Sequence, residues 1–315
     1  MKYAIFSDIH GNDKAFAAAL ADAQSQGAEQ YLLLGDYVTS FPWGNEVVSL
    51  IRSLRNAVVI RGNGDAYLSG LRDNPPGNFD NEQMKPAHWS YKKLSADNFD
   101  YLSALPDTAN VTADGVEIRL AHSNAIFIRS PKIDWFSSFN YRKLMQADPF
   151  THDTYLSRAK DALLAHSDAV REINALPEGV YLFGHNHLQF YMEHKGRLFI
   201  NPGSCGLNLD WDITVPYTLL ELSNGRRTVT ERRVSYDLPA AVQGLTDSGY
   251  AAYAPVWSEI MKKEIFTAKD YFTQFVRHLA AANKRFGQEG FPVNNAVWAA
   301  AADEWDLNAE ILNYE

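Results

Sequence analysis

Seven side chains with oxygen or nitrogen donors recur at one kind of place in this sequence. Asp8 and His10 follow the apolar run KYAIF. Asp36 follows YLLLG, and Asn63 follows AVVIRG. His122 follows EIRLA, and His185 and His187 follow VYLFG. Carboxylate, amide and imidazole groups form a mixed donor set that argues against magnesium or calcium alone. Two first-row ions side by side can convert a shared water to hydroxide near neutral pH. They also neutralise the charge that builds on phosphate oxygens, which is the chemistry of phosphate-ester hydrolysis. A carboxylate such as Asp36 can bridge two cations, leaving the other six donors to divide into two sets of three.

Each piece alone has a plain alternative. A capping aspartate beside a polar histidine also reads Asp-x-His. His185-x-His187 places both rings on one face of a strand, as a chelating pair needs and as a solvated edge also shows. The weight lies in the series, each member following its own apolar run. His88, His152, His166, His194 and His278 match no motif and read as structural or solvated.

Such donors need a scaffold that brings strand ends together. KYAIF, YLLL and AVVI alternate with two helical stretches. The first carries Phe16, Ala17, Leu20 and Ala23 at helical spacing, opened by Asn12 or Asp13 and stopped by Gly27. The second is NEVVSLIRSLR, capped by Asn45. This β-α-β-α-β order with short connections predicts a parallel sheet covered by helices. In an open sheet of that kind, sites form at the carboxyl ends of the strands. RDNPPGNFDNEQ reads as a loop and PAHWSYKKLSADNFDYLSAL as helical. VEIRLAHSN, GVYLFGHNH and GRLFINPGS read as strands. IDWFSSFNYRKLM and YLSRAKDALLAHSDAVREINAL read as helical. YTLLELSNGRRTVTERRVSY reads as a hairpin turning at Asn224-Gly225, and the chain from about 237 reads as helical.

The 315 residues carry a net charge of −9, with 46% hydrophobic and 21% charged residues. An acidic surface disfavours binding to extended nucleic acid. No stretch approaches the roughly 18 apolar residues of a membrane span. A single cysteine, Cys205, excludes an internal disulfide and suits a reducing compartment. The expected protein is a cytoplasmic enzyme with a small substrate.

SDIHGN, GDYV, RGNGD, AHSN and GHNH resemble the five signature blocks of the calcineurin-like metallophosphoesterases. INPGS after the histidine pair is similar to the small bacterial and archaeal phosphodiesterase branch. The resemblance implies an α/β fold: a four-layered α/β/β/α sandwich over residues 1–236, with helical insertions at about 66–115 and 125–178. A helical C-terminal extension, 237–315, would follow. It implies two metal ions drawn from Mn, Fe, Zn, Co or Ni. Asp8, His10 and His187 would bind the first, Asn63, His122 and His185 the second, and Asp36 would bridge them. Hydroxide attack would cleave a small phosphodiester or a nucleotide-type phosphoanhydride. A protein Ser/Thr phosphatase and a non-catalytic scaffold of the same fold are the competing readings.

The sequence departs from the family where GNH is usual. Gly64 stands in place of the general-acid histidine, leaving His88 or His152 as substitutes from an insertion. Asp65 then pairs with Arg61 or caps a helix. Arg61 either faces the site as a catalytic cation or pairs with an acid. Asn12 either donates to a phosphate or caps the first helix. Trp89, Trp135, Phe136, Phe139, Tyr141, Trp257, Trp298 and Trp305 either pack helices or form a lid that stacks on a nucleobase.

Overall fold

The computed structural model describes residues 1–76, 79–138, 140–141, 144 and 151–307. Phe139 and the side chain of Trp135, both named above, lie outside the described residues, as does part of IDWFSSFNYRKLM.

Strands β1 (Lys2–Phe6), β2 (Gln30–Leu33) and β3 (Ala57–Val59) pair in parallel through α1 (Asp13–Ser25) and α2 (Gly44–Ser53). The hairpin of β9 (Val215–Ser223) and β10 (Arg226–Val234) adds antiparallel to β1, giving the order β10-β9-β1-β2-β3. It turns at Asn224 and Gly225, both at positive φ, as a two-residue type I′ turn requires. A second sheet has the order β4-β5-β6-β8-β7. It is built from β4 (Thr108–Ala113), β5 (Val116–Ala121), β6 (Gly179–Leu182), β7 (Gln189–His194) and β8 (Arg197–Pro202), with β5, β6 and β8 parallel.

Period-two alternation explains the layering. Tyr3 and Ile5 of β1 face a core shared with Ile118, Leu120, Val180 and Leu182 of the second sheet. Ala4 and Phe6 point the other way, against Phe16, Leu20, Val48 and Ile51 of the helices. Beyond the second sheet, Tyr181 and Phe199 pack on α6 (His152–Leu164) and α7 (Ser167–Ala175) through Tyr155, Leu163 and Ile173. Both sheets are therefore buried on two faces, and the expected α/β/β/α order is present.

Local expectations fail in five places. Helix α3 (Asn63–Asp73) begins where a strand end was expected. Gly64 and Gly70 lower its intrinsic propensity, but Asp65 caps its first turn. The long helix expected over 86–105 is two, α4 (Lys85–Lys93) and α5 (Ala96–Ser103), because Leu94 is extended and Ser95 caps the second. Asn45 sits inside α2 rather than at its cap. Its side chain instead donates to the Lys93 carbonyl and accepts from Ser95 N–H. Ala17 is exposed, and Ala19 takes its place in the buried stripe. Strand β4 falls in a stretch read as helical insertion; its polar, half-exposed TANVTA carries little apolar signal.

The C-terminal region forms α8 (Leu238–Asp247), α9 (Pro255–Thr267), α10 (Tyr271–Arg285) and α11 (Asn295–Glu304). It shares a hydrophobic cluster with Phe41, Trp43, Trp89, Leu207 and Leu209. No helix among the described residues is long and apolar enough to cross a membrane.

Candidate metal centre

The donors stand just beyond the parallel strands, where each chain turns sharply. Asp8, His10, Asp36, His185 and His187 all have φ between 52 and 67°. Residues in this left-handed region carry roughly 1–2 kcal/mol of local strain each. Such strain concentrates at functional sites, where surrounding structure imposes it. Here the imposing contacts are visible. Asp8 N–H donates to Gly35 O, His10 N–H to Asp36 O, and His185 N–H to Asp8 Oδ2.

These turns aim five polar atoms at one point. Asp8 Oδ1 lies 3.3 Å from His187 Nε2, 3.9 Å from His10 Nε2 and 4.0 Å from His122 Nε2. Asp36 Oδ2 lies 3.4 Å from His122 Nε2. Two groups result, Asp8–His10–His187 and Asp8–Asp36–His122. Asp8 is common to both.

The hydrogen bonds behind the rings decide what those atoms can bind. His122 Nδ1 donates to the Leu34 carbonyl at 2.8 Å and His187 Nδ1 to the Leu207 carbonyl at 3.0 Å. A carbonyl only accepts, so each Nδ1 carries hydrogen and each neutral ring presents an Nε2 lone pair to the centre. His187 Nε2 meets His10 Nε2 at 3.3 Å. Asp8 Oδ1 and His122 Nε2 are buried without a hydrogen-bond partner. Buried acceptors facing one another are costly without a metal ion or a proton between them. Carbonyl-oriented imidazoles of this kind are the usual supports of metal ligands. The residues fit a metal centre.

Ionisation follows the same geometry. Burial would raise the Asp8 carboxyl, but His187, His122 and His10 outweigh it and hold the group well below the usual carboxylate range. Burial would lower His122, but Asp36 and Asp8, with the Leu34 carbonyl, push it up to about 10. Burial and the neighbouring His187 bring His10 down to about 4. Protons therefore stand in for cations between the carboxylates, and metal must displace them. Apparent metal affinity should rise with pH toward 10. The His122 proton stabilises the metal-free fold fully below about 6.5, and that contribution is lost as pH climbs through about 10. Calorimetry should show the chelator-treated protein losing Tm between pH 7 and 10 while the metal-loaded protein does not. Parallel Tm curves for the two forms would refute this.

The centre opens into a cleft of about 710 Å³. His10, Asp36, Asn63, His185 and His187 line its floor side, while Trp257, Asp270, Phe272, Thr273 and Val276 come from the C-terminal helices.

Residues 1–225 match the sequence profile of the calcineurin-like phosphoesterase superfamily domain. The chain belongs to this superfamily. An uncharacterized protein of Methanocaldococcus jannaschii is 25% identical over 247 residues, spanning 76% of this chain and 90% of the relative. A metallophosphoesterase of Sphaerobacter thermophilus is similar in structure, with a TM-score of 0.55 and 25% identity over 79% of this chain and 95% of that one. A hypothetical protein of Pyrococcus horikoshii OT3 has a TM-score of 0.57 at 17% identity, covering 85% and 98%.

Within this phosphoesterase fold, the structure brings some of the sequence-derived residues to the cleft and not others. Asn63 and His185 line the cleft, and the His185 ring packs edge-on to His122 with centroids 5.2 Å apart. Arg61 does not face it. Its guanidinium donates twice to Asp107 Oδ1, at 2.9 and 2.7 Å. Asn12 is fully buried: Oδ1 caps α1 at Ala15 N–H, and Nδ2 donates to the Gly206 carbonyl and the Tyr236 hydroxyl. A phosphate has no access to it. Asp65 neither pairs with Arg61 nor reaches the cleft. Its carboxylate accepts from the N–H groups of Asp36, Tyr37 and Gly62. Burial and Asp36 push that carboxyl up to about 7. His88 bonds the Phe79 carbonyl and His152 the Gln189 carbonyl, and neither lines the cleft.

Two supporting residues of INPGS were not singled out from sequence. Asn201 Nδ2 donates to the Gly184 carbonyl, and Ser204 Oγ donates to the Asp8 carbonyl. They tie the loop after β8 to both ligand-bearing loops. The quoted motif was the available signal, but its partners were not readable.

Proposed function

We propose that the protein is a dinuclear-metal phosphoesterase hydrolysing a small phosphodiester or a nucleotide-type phosphoanhydride. The convergence of the unpartnered Asp8 Oδ1 and His122 Nε2 with two other imidazole nitrogens, beside a cleft of nucleotide dimensions, carries this reading. Asp8, His10 and His187 would hold one cation. Asn63, His122 and His185 would hold the other, and Asp36, which interacts with both His122 and His10, would bridge. Bound there, the cations would supply a hydroxide nucleophile and neutralise phosphate oxygens. The protein's own part is to fix the ring orientations through Leu34 and Leu207 and to present the phosphate to that nucleophile from the cleft.

Gly64 lines the cleft and offers no proton to a leaving group. A general acid contributes about 10²–10⁴-fold, so turnover should fall steeply as leaving groups become more basic. Gly64→His, whose Cβ would stand 3.2 Å from Asp36 Oδ1 and 3.5 Å from Thr39 Oγ1, should flatten that dependence. Rates on a series of substituted aryl diesters check this, and an already flat wild-type series would contradict it.

The activity itself is tested by stripping the protein with chelator, restoring Mn²⁺ and following bis-p-nitrophenyl phosphate. Diadenosine tetraphosphate, cyclic dinucleotides, 2′,3′-cyclic nucleotides and a phosphopeptide form the substrate panel. No turnover with any first-row metal would leave the scaffold reading standing.

A further inference from the structure

The cleft is unusual for a phosphate site in what its walls omit. Among the described residues lining it, none is lysine or arginine. Among these described residues, none beyond the metal centre would neutralise a second or third phosphate. Much of the wall is instead apolar, formed by Met84, Pro86, Ala87, Leu207, Leu209 and Val276, with uncharged Thr39, Ser40, Gln83, Ser138 and Thr273 among them.

Two large aromatic side chains stand exposed against this background. Tyr67 is 42% and Phe272 39% accessible, although most aromatic residues of the chain are buried. Tyr67 lies one helical turn after Asn63, so both share a face of α3 and both line the cleft. Phe272 begins α10. Its position is held from behind: its ring stacks on Trp257, with centroids 5.1 Å apart and planes at 28°. Its N–H and that of Tyr271 donate to Glu264 Oε1. Trp257 is itself buried among the C-terminal helices. Phe272 is thus a supported aromatic surface in the cleft wall. A second cleft of about 520 Å³ adjoins the first, sharing Tyr67 and Met84, and its described lining also lacks lysine and arginine.

Resting on the phosphoesterase reading, we infer that Tyr67 and Phe272 are specificity-determining residues that select a phosphodiester of one negative charge bearing a flat aromatic substituent, in preference to polyphosphates. A single phosphate would meet the metal centre while its substituent lies on an aromatic face. Base–aromatic stacking is sequence-tolerant and strong enough to matter. A polyphosphate would place further anionic groups along a wall whose described residues include no lysine or arginine.

The test uses metal-loaded full-length protein and two readouts. Calorimetry compares diphenylphosphinate with dimethylphosphinate, both non-hydrolysable monoanions. The diphenyl compound should bind at least about tenfold tighter. Phe272→Ala and Tyr67→Ala should each shrink that ratio several-fold. Phe272→Leu, which keeps apolar bulk, guards against a packing artefact and should also shrink it. In kinetics, an adenosine-bearing diester and bis-p-nitrophenyl phosphate distinguish nucleobase from simple aryl recognition. Both should exceed diadenosine tetraphosphate in kcat/KM, and both should show raised KM in the variants. Turnover of diesters with an unchanged binding ratio in all three variants would overturn this inference alone. So would a preference for the tetraphosphate. Absence of turnover and of phosphinate binding would overturn the phosphoesterase reading and this inference together.

Discussion

Asp8→Asn leaves a folded protein with no measurable phosphoesterase activity, a loss expected to exceed about 10⁴-fold in kcat/KM. Asp8 is the shared member of both donor groups, and its Oδ1 is buried without a partner. Asparagine has the same shape and can still accept the His185 N–H that Asp8 Oδ2 now takes at 2.9 Å. What changes is charge. An amide cannot balance the charge of a bound cation, and its NH₂ would donate to the imidazole lone pairs that should meet metal. With the cations go both the nucleophile and the charge neutralisation they would supply. The control is Asp107→Asn, which removes only the distant ion pair with Arg61 and should cost less than about twofold, as exposed pairs contribute little. Metal content by mass spectrometry should fall in Asp8→Asn alone. Activity within tenfold of wild type would remove Asp8 from the centre.

Gly206→Ala costs stability and activity together. A Cβ at Gly206 would fall on the Ile9 carbonyl oxygen and stand 3.0 Å from Ile9 Cα. The obstacle is backbone, so no side chain can swing aside. Gly206 N–H donates to the Asp8 carbonyl, and the next residue, Leu207, provides the carbonyl that orients His187. Separating the loops therefore displaces Asp8, His10 and His187 at once. Overpacking typically costs about 1–3 kcal/mol and occasionally more. A rigid backbone clash belongs at the upper end, with Tm lowered by roughly 4–5 °C. Gly70→Ala is the internal contrast. It lies in α3 with nothing within 4 Å of its would-be Cβ, and should stabilise by about 0.5–1 kcal/mol. Equal Tm shifts for the two would show that close loop approach is not what Gly206 provides.

Much of this site could be read before any coordinates, because its signal is local. Buried parallel strands write continuous apolar runs, and each run announces where the following donor must sit. That logic located Asp8, His10, Asp36, Asn63, His122, His185 and His187 near one cleft. It failed where a residue's role depends on a distant partner. Arg61 was ambiguous because Asp107 lies across a tertiary contact. Asn12 looked available because Gly206 and Tyr236, which take its amide, are far along the chain. The sharing of Asp8 between donor groups depends on how two sheets meet. Strand β4 escaped notice because an edge strand with one polar face carries half the usual pattern.

The segment matching the superfamily stops at residue 225, yet Trp257, Phe272, Thr273 and Val276 form a wall of the cleft. The candidate metal ligands and one wall of the cleft thus come from different stretches of chain. Changes in α9 and α10 can remodel which molecules enter without touching a single ligand-bearing turn. Libraries confined to those two helices should accordingly yield altered substrate preference at near-constant metal affinity, a separation that a site built wholly from the strand-end loops would not permit.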